Sequence, residues 1–281
     1  MDYIIAKQHG QDTVLEGVKH FDLAQTLNNG QAFRWEECEN GAGFSGIAHG
    51  RRLELSFADD TLTLKDCPLG EFEAIWKDYL DLGRDYSGLR KHLSVAGGES
   101  LEKALNFSPG LRMMRQDVWE VLISFILSQN SNIPRIKKMI SSLCENFGQK
   151  LPCGGFDFPK PQDLAKLTVD NLQPIRTGYR ADYIIDAAQR VSDGRFDIAA
   201  LASQPSDEVH QALLQIHGIG PKVAECVLLF GFGRIERFPL DVWIKRVMAA
   251  LYPEGFPVEV QEYSGIAQQF LFHYARMSKL V

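Results

Sequence analysis

The arrangement best suited to covalent chemistry is a lysine at the second position of a helix, directly behind a glycine-rich turn. In Leu213-Leu214-Gln215-Ile216-His217-Gly218-Ile219-Gly220-Pro221-Lys222-Val223-Ala224-Glu225-Cys226, one helix stops at the first glycine and another starts at the proline. Proline suits that first position because the N–H it lacks would have no helical partner there. Gly218 and Gly220 leave backbone N–H groups bare at a helix N-terminus, which makes a site for an anion such as phosphate. A grip made by backbone needs no excess of basic side chains. Two readings stay open: an anion site, or an αα-turn that only packs two helices, with small Ala224 allowing close approach. The spacing is not that of a Walker loop, and there is no strand-borne dinucleotide fingerprint.

Lys222 sits where the positive end of the helix dipole disfavours an ammonium, and apolar neighbours such as Val223 add to this if they desolvate it. A lysine held partly neutral is a nucleophile able to form a Schiff base. The competing reading is a solvated surface lysine. Phe238-Pro239-Leu240-Asp241-Val242-Trp243 follows. Asp241 precedes an amphipathic run (Val242, Val247, Met248, Leu251) and suits a helix N-cap. A carboxylate fixed in this way also suits stabilisation of a developing sugar cation or the movement of a proton. The two roles are compatible.

These groups need a scaffold. The chain has 281 residues, 45% apolar and 23% charged, a globular composition with enough length for one large domain or two ordinary ones. It has no run of 18 apolar residues, so no membrane span is expected. Acids in the first thirty residues, without an apolar h-region, argue against a secretory leader. The five cysteines are oddly numbered, irregularly spaced and form no Cys-x-x-Cys pair. A disulfide framework, a zinc site and an iron–sulfur cluster are therefore not expected, and a reducing compartment is. The net charge of −6 is unevenly spread. Residues 1–105 carry 11 basic and 18 acidic side chains, whereas residues 106–281 carry 19 and 18. A surface for nucleic acid is expected in the second part, where basic clusters occur at Arg135, Lys137 and Lys138, at Arg176 and Arg180, at Arg234 and Arg237, and at Lys245 and Arg246.

Residues 53–57 and 61–64 alternate around Asp59-Asp60, which predicts an antiparallel hairpin. Residues 44–48 suit a third strand, and Asn29-Gly30 a turn feeding a strand through Phe33 and Trp35. Residues 72–82 have helical spacing. From about residue 106 the pattern is helical, with helices expected through 118–126, 133–143, 181–193, 206–216, 221–231, 241–252 and 258–276, and a loop from 148 to 161. The expected architecture is α+β: an N-terminal β-rich domain, 1–105, ahead of a helical region, 106–281.

Several segments point further. They are Asn29-Gly30-Gln31-Ala32-Phe33-Arg34-Trp35; Leu111-Arg112 through Arg115-Gln116-Asp117; Ser124-Phe125-Ile126; Ser128-Gln129-Asn130-Ser131-Asn132-Ile133-Pro134-Arg135-Ile136; Gly178-Tyr179-Arg180-Ala181-Asp182-Tyr183; and Ala267-Gln268-Gln269-Phe270-Leu271-Phe272. With the hairpin and Pro-Leu-Asp-Val-Trp, they make the chain resemble the HhH-GPD DNA glycosylases and, within them, the 8-oxoguanine DNA glycosylase family. The resemblance extends over nearly the whole chain. A lysine at position 222 resembles the bifunctional members, which break the glycosidic bond and then nick the strand.

The resemblance implies an N-terminal antiparallel sheet like half of the TATA-binding protein, followed by the helix-hairpin-helix region. It implies that Lys222 attacks the anomeric carbon with help from Asp241. Gly30 would offer its carbonyl to the N7 hydrogen that 8-oxoguanine has and guanine lacks, a discrimination that one acceptor can make. Phe272 would stack on the extruded base, Cys226 line its other face, and Gln268 bond its pairing edge. Asn130 would fill the gap in the duplex, Arg135 and Arg180 bond the orphaned cytosine, and Tyr179 wedge beside it. Gly218 and Gly220 would hold phosphate. Duplex DNA containing 8-oxoguanine is the implied partner, with no membrane and a monomeric chain. No cofactor is implied beyond a monovalent cation at the hairpin, and no side-chain metal site. The implied location is the cytoplasm, with its nucleoid, or the nucleus, not the outside of the cell.

Taken singly, each residue has a plainer reading: Phe272 and Cys226 as core, Gln268 as surface, Arg135 and Arg180 as solvated, Asn130 as a helix C-cap, Gly30 as a turn. The sequence departs from the family pattern at Trp243, where some members have a phosphate-contacting histidine, and at Ser131 and Pro134. Two other functions remain compatible with the fold: an alkylated-base glycosylase, which Lys222 opposes, and a non-catalytic DNA-binding module.

Overall fold

The computed structural model describes residues 2–39 and 41–278. A six-stranded antiparallel sheet is built from β1 (Ile5–His9), β2 (Asp12–Glu16), β3 (Trp35–Glu37), β4 (Phe44–Ala48), β5 (Arg51–Ala58) and β6 (Thr61–Lys65), in the order β1-β2-β6-β5-β4-β3. The hairpin forms as the alternation predicts: Leu55 pairs with Leu64 and Ala58 with Thr61. Leu53, Leu55, Leu62 and Leu64 are all buried. Asp59 and Asp60 both have positive φ, 50° and 57°, as a two-residue type I′ turn requires. Helices dominate the rest of the chain.

Two parts of the first hundred residues differ from the β-rich expectation. Strands β1 and β2 were not legible because β1 is exposed along almost its whole length, and β2 buries Thr13 beside Leu15, so neither shows an apolar alternation. The Thr13 hydroxyl is satisfied inside by donating to the Cys67 carbonyl at 2.7 Å. Helices Tyr86–Ala96 and Gly98–Phe107 occupy the end of the same stretch, burying Tyr86, Leu89, Leu93, Leu101, Ala104 and Leu105. Near the C-terminus, the single helix expected over 258–276 is a 3-10 helix, Val258–Tyr263, followed by an α-helix, Ser264–Ser278. Among the described residues no helix is long and apolar enough to cross a membrane.

The chain folds as two compact units that do not divide at residue 105. The first comprises 1–45, 53–115 and 235–281, and the second 46–52 and 116–234. The C-terminal helix belongs with the first unit because it packs on the helix Gly98–Phe107, and because Arg90 lies 5.6 Å over the Phe270 ring.

The first unit is organised around Arg112, which is fully buried. Its guanidinium donates to Asp2 Oδ2 (2.8 Å) and to the carbonyls of Lys19 (2.7 Å), His20 (3.0 Å) and Asp81 (2.8 Å), and lies 4.4 Å over the Tyr86 ring. Asp2 Oδ2 also accepts from the Tyr86 amide at 2.7 Å. One side chain thus ties the start of the chain, the exit from the sheet and the helices after it. Arg112→Met is expected to destabilise the protein by about 3–5 kcal/mol, because it strands a buried carboxylate. Denaturant unfolding reads this directly. The double variant with Asp2→Asn should recover part of the loss, and a single variant within 1 kcal/mol of the parent would remove Arg112 from this role.

Candidate active site

In the second unit the hairpin is built as its residues suggest. Helix Ser206–Leu214 ends, residues 215–220 turn, and helix Pro221–Phe230 begins with proline in its first turn. Gly218 has φ +80°, which a β-carbon disfavours, and the Tyr183 ring packs so close that a Cβ there would lie 2.3 Å from it. Gly220 differs: its φ is −96° and nothing lies within 4 Å of a Cβ placed there. The glycine pair therefore combines one residue demanded by packing with one that leaves an open approach to the backbone. Neither the Gly218 nor the Gly220 N–H donates to an acceptor among the described residues. Asp186 fixes the turn by accepting from the His217 amide (2.8 Å) while paired with Arg190 (2.8 Å).

Lys222 is half-buried in the first turn of the second hairpin helix, with Nζ 5.2 Å from the centroid of the Phe125 ring. Phe125 is stacked on Phe230, 5.2 Å between centroids and 5° between planes. Cys226, one turn further along, is buried, which is also what its plainer reading as core requires.

Helix Val118–Ser128, which carries Phe125, runs into a second turn of interest. Asn130 follows its C-cap with φ +47°, so its backbone takes the capping conformation while its side chain is exposed. The turn is held from within. Arg180, 3% exposed, is not solvated: it donates to the Gln129 carbonyl through Nε (2.9 Å) and a terminal nitrogen, to Asn130 (3.3 Å) and to Thr177 (3.0 Å). The Gln129 side chain in turn donates to the Gly218 carbonyl at 3.2 Å. Gln129 therefore links the Asn130 turn to the hairpin, a role the sequence did not suggest. Tyr179 is 51% exposed and stacks against Arg180 (4.6 Å), while Arg135 is exposed on the first turn of helix Ile133–Phe147.

The other candidates belong to the first unit. Gly30 has φ +87° and sits in a turn fastened by Gln31, which is 1% exposed. Gln31 Nε2 donates to the carbonyls of Thr26 and Arg112, both at 2.8 Å, and its Oε1 accepts from the Met114 amide at 2.9 Å. Asp241 caps helix Val242–Leu251, with Oδ1 accepting from the Ile244 amide at 2.7 Å. The loop before it hangs from the C-terminal helix: Gly265 donates to Ile235 (2.8 Å), Ser264 to Glu236 (2.7 Å) and Gln268 Nε2 to Pro239 (3.1 Å). Gln268 is buried, so its plainer reading as a surface residue is wrong, and its amide braces the Asp241 loop. Phe272 is only partly buried, with the Arg276 guanidinium 5.9 Å over its ring, so it is not a core residue. His273 beside it is held below the ordinary imidazole range by burial and, secondarily, by Arg276. Trp243 carries Arg246 5.7 Å over its ring.

The sheet, the helices and the lysine-bearing hairpin define a base-excision DNA repair protein of the helix-hairpin-helix class: residues 123–257 match the HhH-GPD superfamily of base excision DNA repair proteins, and residues 13–122 match the N-terminal domain of 8-oxoguanine DNA glycosylase. The chain is similar to the Clostridium acetobutylicum 8-oxoguanine glycosylase/lyase, solved with double-stranded DNA containing cytosine opposite 8-oxoguanine, at 33% identity and a TM-score of 0.92, covering 99% of this chain and 100% of that one. It is 35% identical to the N-glycosylase/DNA lyase of Saccharomyces cerevisiae, over 80% of this chain and 66% of that protein. It is 28% identical to a probable N-glycosylase/DNA lyase of Methanothermobacter thermautotrophicus, over 94% and 96%. This chain belongs to the 8-oxoguanine DNA glycosylase family.

The two hairpin glycines are expected to respond differently to alanine. Gly218→Ala should lower stability by about 1–3 kcal/mol through the left-handed backbone and the Tyr183 ring. Gly220→Ala should change it by no more than about 0.5 kcal/mol, since both backbone and space accept a methyl. Melting temperatures of the two variants, side by side, test this, and equal losses would contradict it.

Proposed function

We propose that this chain excises 8-oxoguanine from duplex DNA with Lys222 as nucleophile and then nicks the strand at the resulting abasic site. The observation that carries the reading is the half-buried lysine at the start of the second hairpin helix, behind a turn with bare N–H groups. The same site offers a nucleophile and, from Gly218 and Gly220, donors for the neighbouring phosphate that would present the sugar to it. The likeness to glycosylase/lyases over nearly the whole chain supports the choice of reaction.

Free-amine Lys222 Nζ attacks C1′, the bond from C1′ to N9 breaks, and the base leaves with the electron pair and takes up a proton. The ring-opened sugar is then an iminium on Lys222. Loss of the C2′ proton expels the 3′ phosphate by β-elimination, and water hydrolyses the iminium to return the amine. Asp241 supplies negative charge toward the cation that develops at the sugar and is held for this by its bond to Ile244.

The base would be read by the Gly30 carbonyl at N7–H, by Gln268 along the pairing edge, and by Phe272 and Cys226 on its faces. Asn130 and Tyr179 would occupy the space it leaves. Arg135 and Arg180 would bond the opposite cytosine, which gives the preference for that pairing. Arg180 reaches a base only by exchanging the carbonyls it now holds. A monovalent cation at the hairpin would be held by main-chain carbonyls such as those of Ile216 and Gly218, each of which accepts one hydrogen bond and keeps a second lone pair. It would add positive charge beside the phosphate and take no part in bond making. DNA places the protein's work in the nucleoid or the nucleus, where it would act as a monomer.

Borohydride trapping on an 8-oxoguanine:cytosine duplex tests the nucleophile: the parent protein forms a covalent adduct and Lys222→Gln does not. An adduct that persists in the variant would defeat the assignment. Asp241→Asn is informative because asparagine caps a helix as well as aspartate does. The fold should persist while single-turnover excision slows by about 10²–10³-fold. A rate within a factor of about three of the parent would exclude the carboxylate from the chemistry.

A further inference from the structure

Arg276, in the last turn of the C-terminal helix, carries a charge that the site described so far leaves unused. It is half-buried, and burial holds its guanidinium below the ordinary arginine range. Among the described residues no carboxylate pairs with it and no acceptor takes its N–H groups. The chain has 36 acidic side chains against 30 basic ones, so a half-buried arginine without a carboxylate is not for want of acids. The guanidinium is laid over the Phe272 ring instead, 5.9 Å from its centroid. A ring face takes up the cation without using its N–H groups, which stay free for an acceptor from outside. Position along the helix says which acceptor. Gln268, Phe272 and Arg276 follow one another at intervals of four residues. Each therefore lies about 6 Å further along one side of the helix. A purine has its pairing edge at one end and the nitrogen bonded to the sugar at the other. With Gln268 at the pairing edge and Phe272 on the face, the sugar end points toward Arg276. Beyond that end come the sugar and its phosphates.

We infer that Arg276 is a further DNA-binding residue, which holds a backbone phosphate of the extruded nucleotide. This rests on Gln268 and Phe272 meeting the extruded base. A guanidinium offers phosphate two parallel N–H groups. The Phe272 ring restrains the side chain before DNA arrives, so less freedom is lost on binding. One helix would then hold the lesion nucleotide by its edge, its face and its phosphate. The competing role is local: a cation in the last helical turn favours the C-terminal end of the dipole, and its stem covers apolar surface. That role supports the helix and touches no phosphate.

The test is binding of the full-length protein to 8-oxoguanine:cytosine duplexes in which the phosphate 5′ or 3′ of the lesion is an ordinary diester or a neutral methylphosphonate. Lys222→Gln is present throughout to prevent turnover. Arg276→Met is expected to weaken binding to the ordinary duplex roughly tenfold, the worth of a charged hydrogen bond. The slope of log K against log salt should become shallower by about one. With the contacted phosphate already neutral, the same substitution should cost no more than about twofold. Arg276→Lys keeps the charge and loses the fork, so it should keep the slope and give up part of the affinity. Arg276→Gln repeats the removal, so a misfolded methionine variant leaves the test standing. A loss of equal size on every duplex, or no loss at all, overturns the inference, because a residue that only supports the helix end does not sense one phosphate. Phe272→Ala separates the two layers. If it leaves the preference for the 8-oxoguanine duplex over the undamaged one unchanged, Phe272 does not meet the base, and the ground for the inference goes with it. If it abolishes that preference while the arginine and phosphate effects stay additive, the phosphate contact alone fails.

Discussion

Irregular backbone has no regular ladder of its own to hold it still, and here buried side chains do so. Regular secondary structure satisfies its own N–H and C=O groups; a turn cannot, and each unpaired buried group is costly. In the first unit, the Gln31 amide ties the segment that ends in Gly30, through Thr26, to Arg112 and Met114, and Arg112 ties the same region to the start of the chain. In the second, Arg180 holds Gln129 and Asn130, and Gln129 holds Gly218. These four side chains are long, polar and buried or half-buried, and most of the carbonyls they serve lie in turns and loops.

The same constraint bears on the phosphate contact proposed for an acidic chain. With a net charge of −6, the protein has little long-range attraction to offer phosphate. Backbone N–H groups at a helix N-terminus act at contact distance and are indifferent to net charge. The basic side chains that matter most structurally, Arg112 and Arg180, face inward to carbonyls. Guanidinium suits that duty, since its planar fork can serve several acceptors at once and is less strongly hydrated than an ammonium.

Asp241 and Lys222 are both set at helix N-termini, with opposite consequences. The carboxylate gains from its helix, accepting the Ile244 amide. The amine gains nothing from its helix dipole, and it lies over the aromatic face of Phe125, which is itself stacked on Phe230.

Hydrophobic alternation, glycine and proline placement and capping residues act over a few positions, so the hairpin at 59–60, the helix pair around Gly218 and Gly220 and the Asp241 cap were determined by sequence alone. The ordered set of short motifs determined the family for the same local reason: each needs only its own residues. What tertiary structure decided was everything that depends on partners far along the chain. Strand β1 has no apolar face and exists because β2 pairs with it. The C-terminal helix joins the first unit through packing that no local pattern announces. Whether Arg180 is solvated or buried, whether Gln268 lies outside or inside, and which way its amide turns are settled by carbonyls 29 to 51 residues away, Pro239 and Gln129. A polar side chain carries no sign of its partner in its own neighbourhood, because hydrogen bonding is set by distance in space and not along the chain.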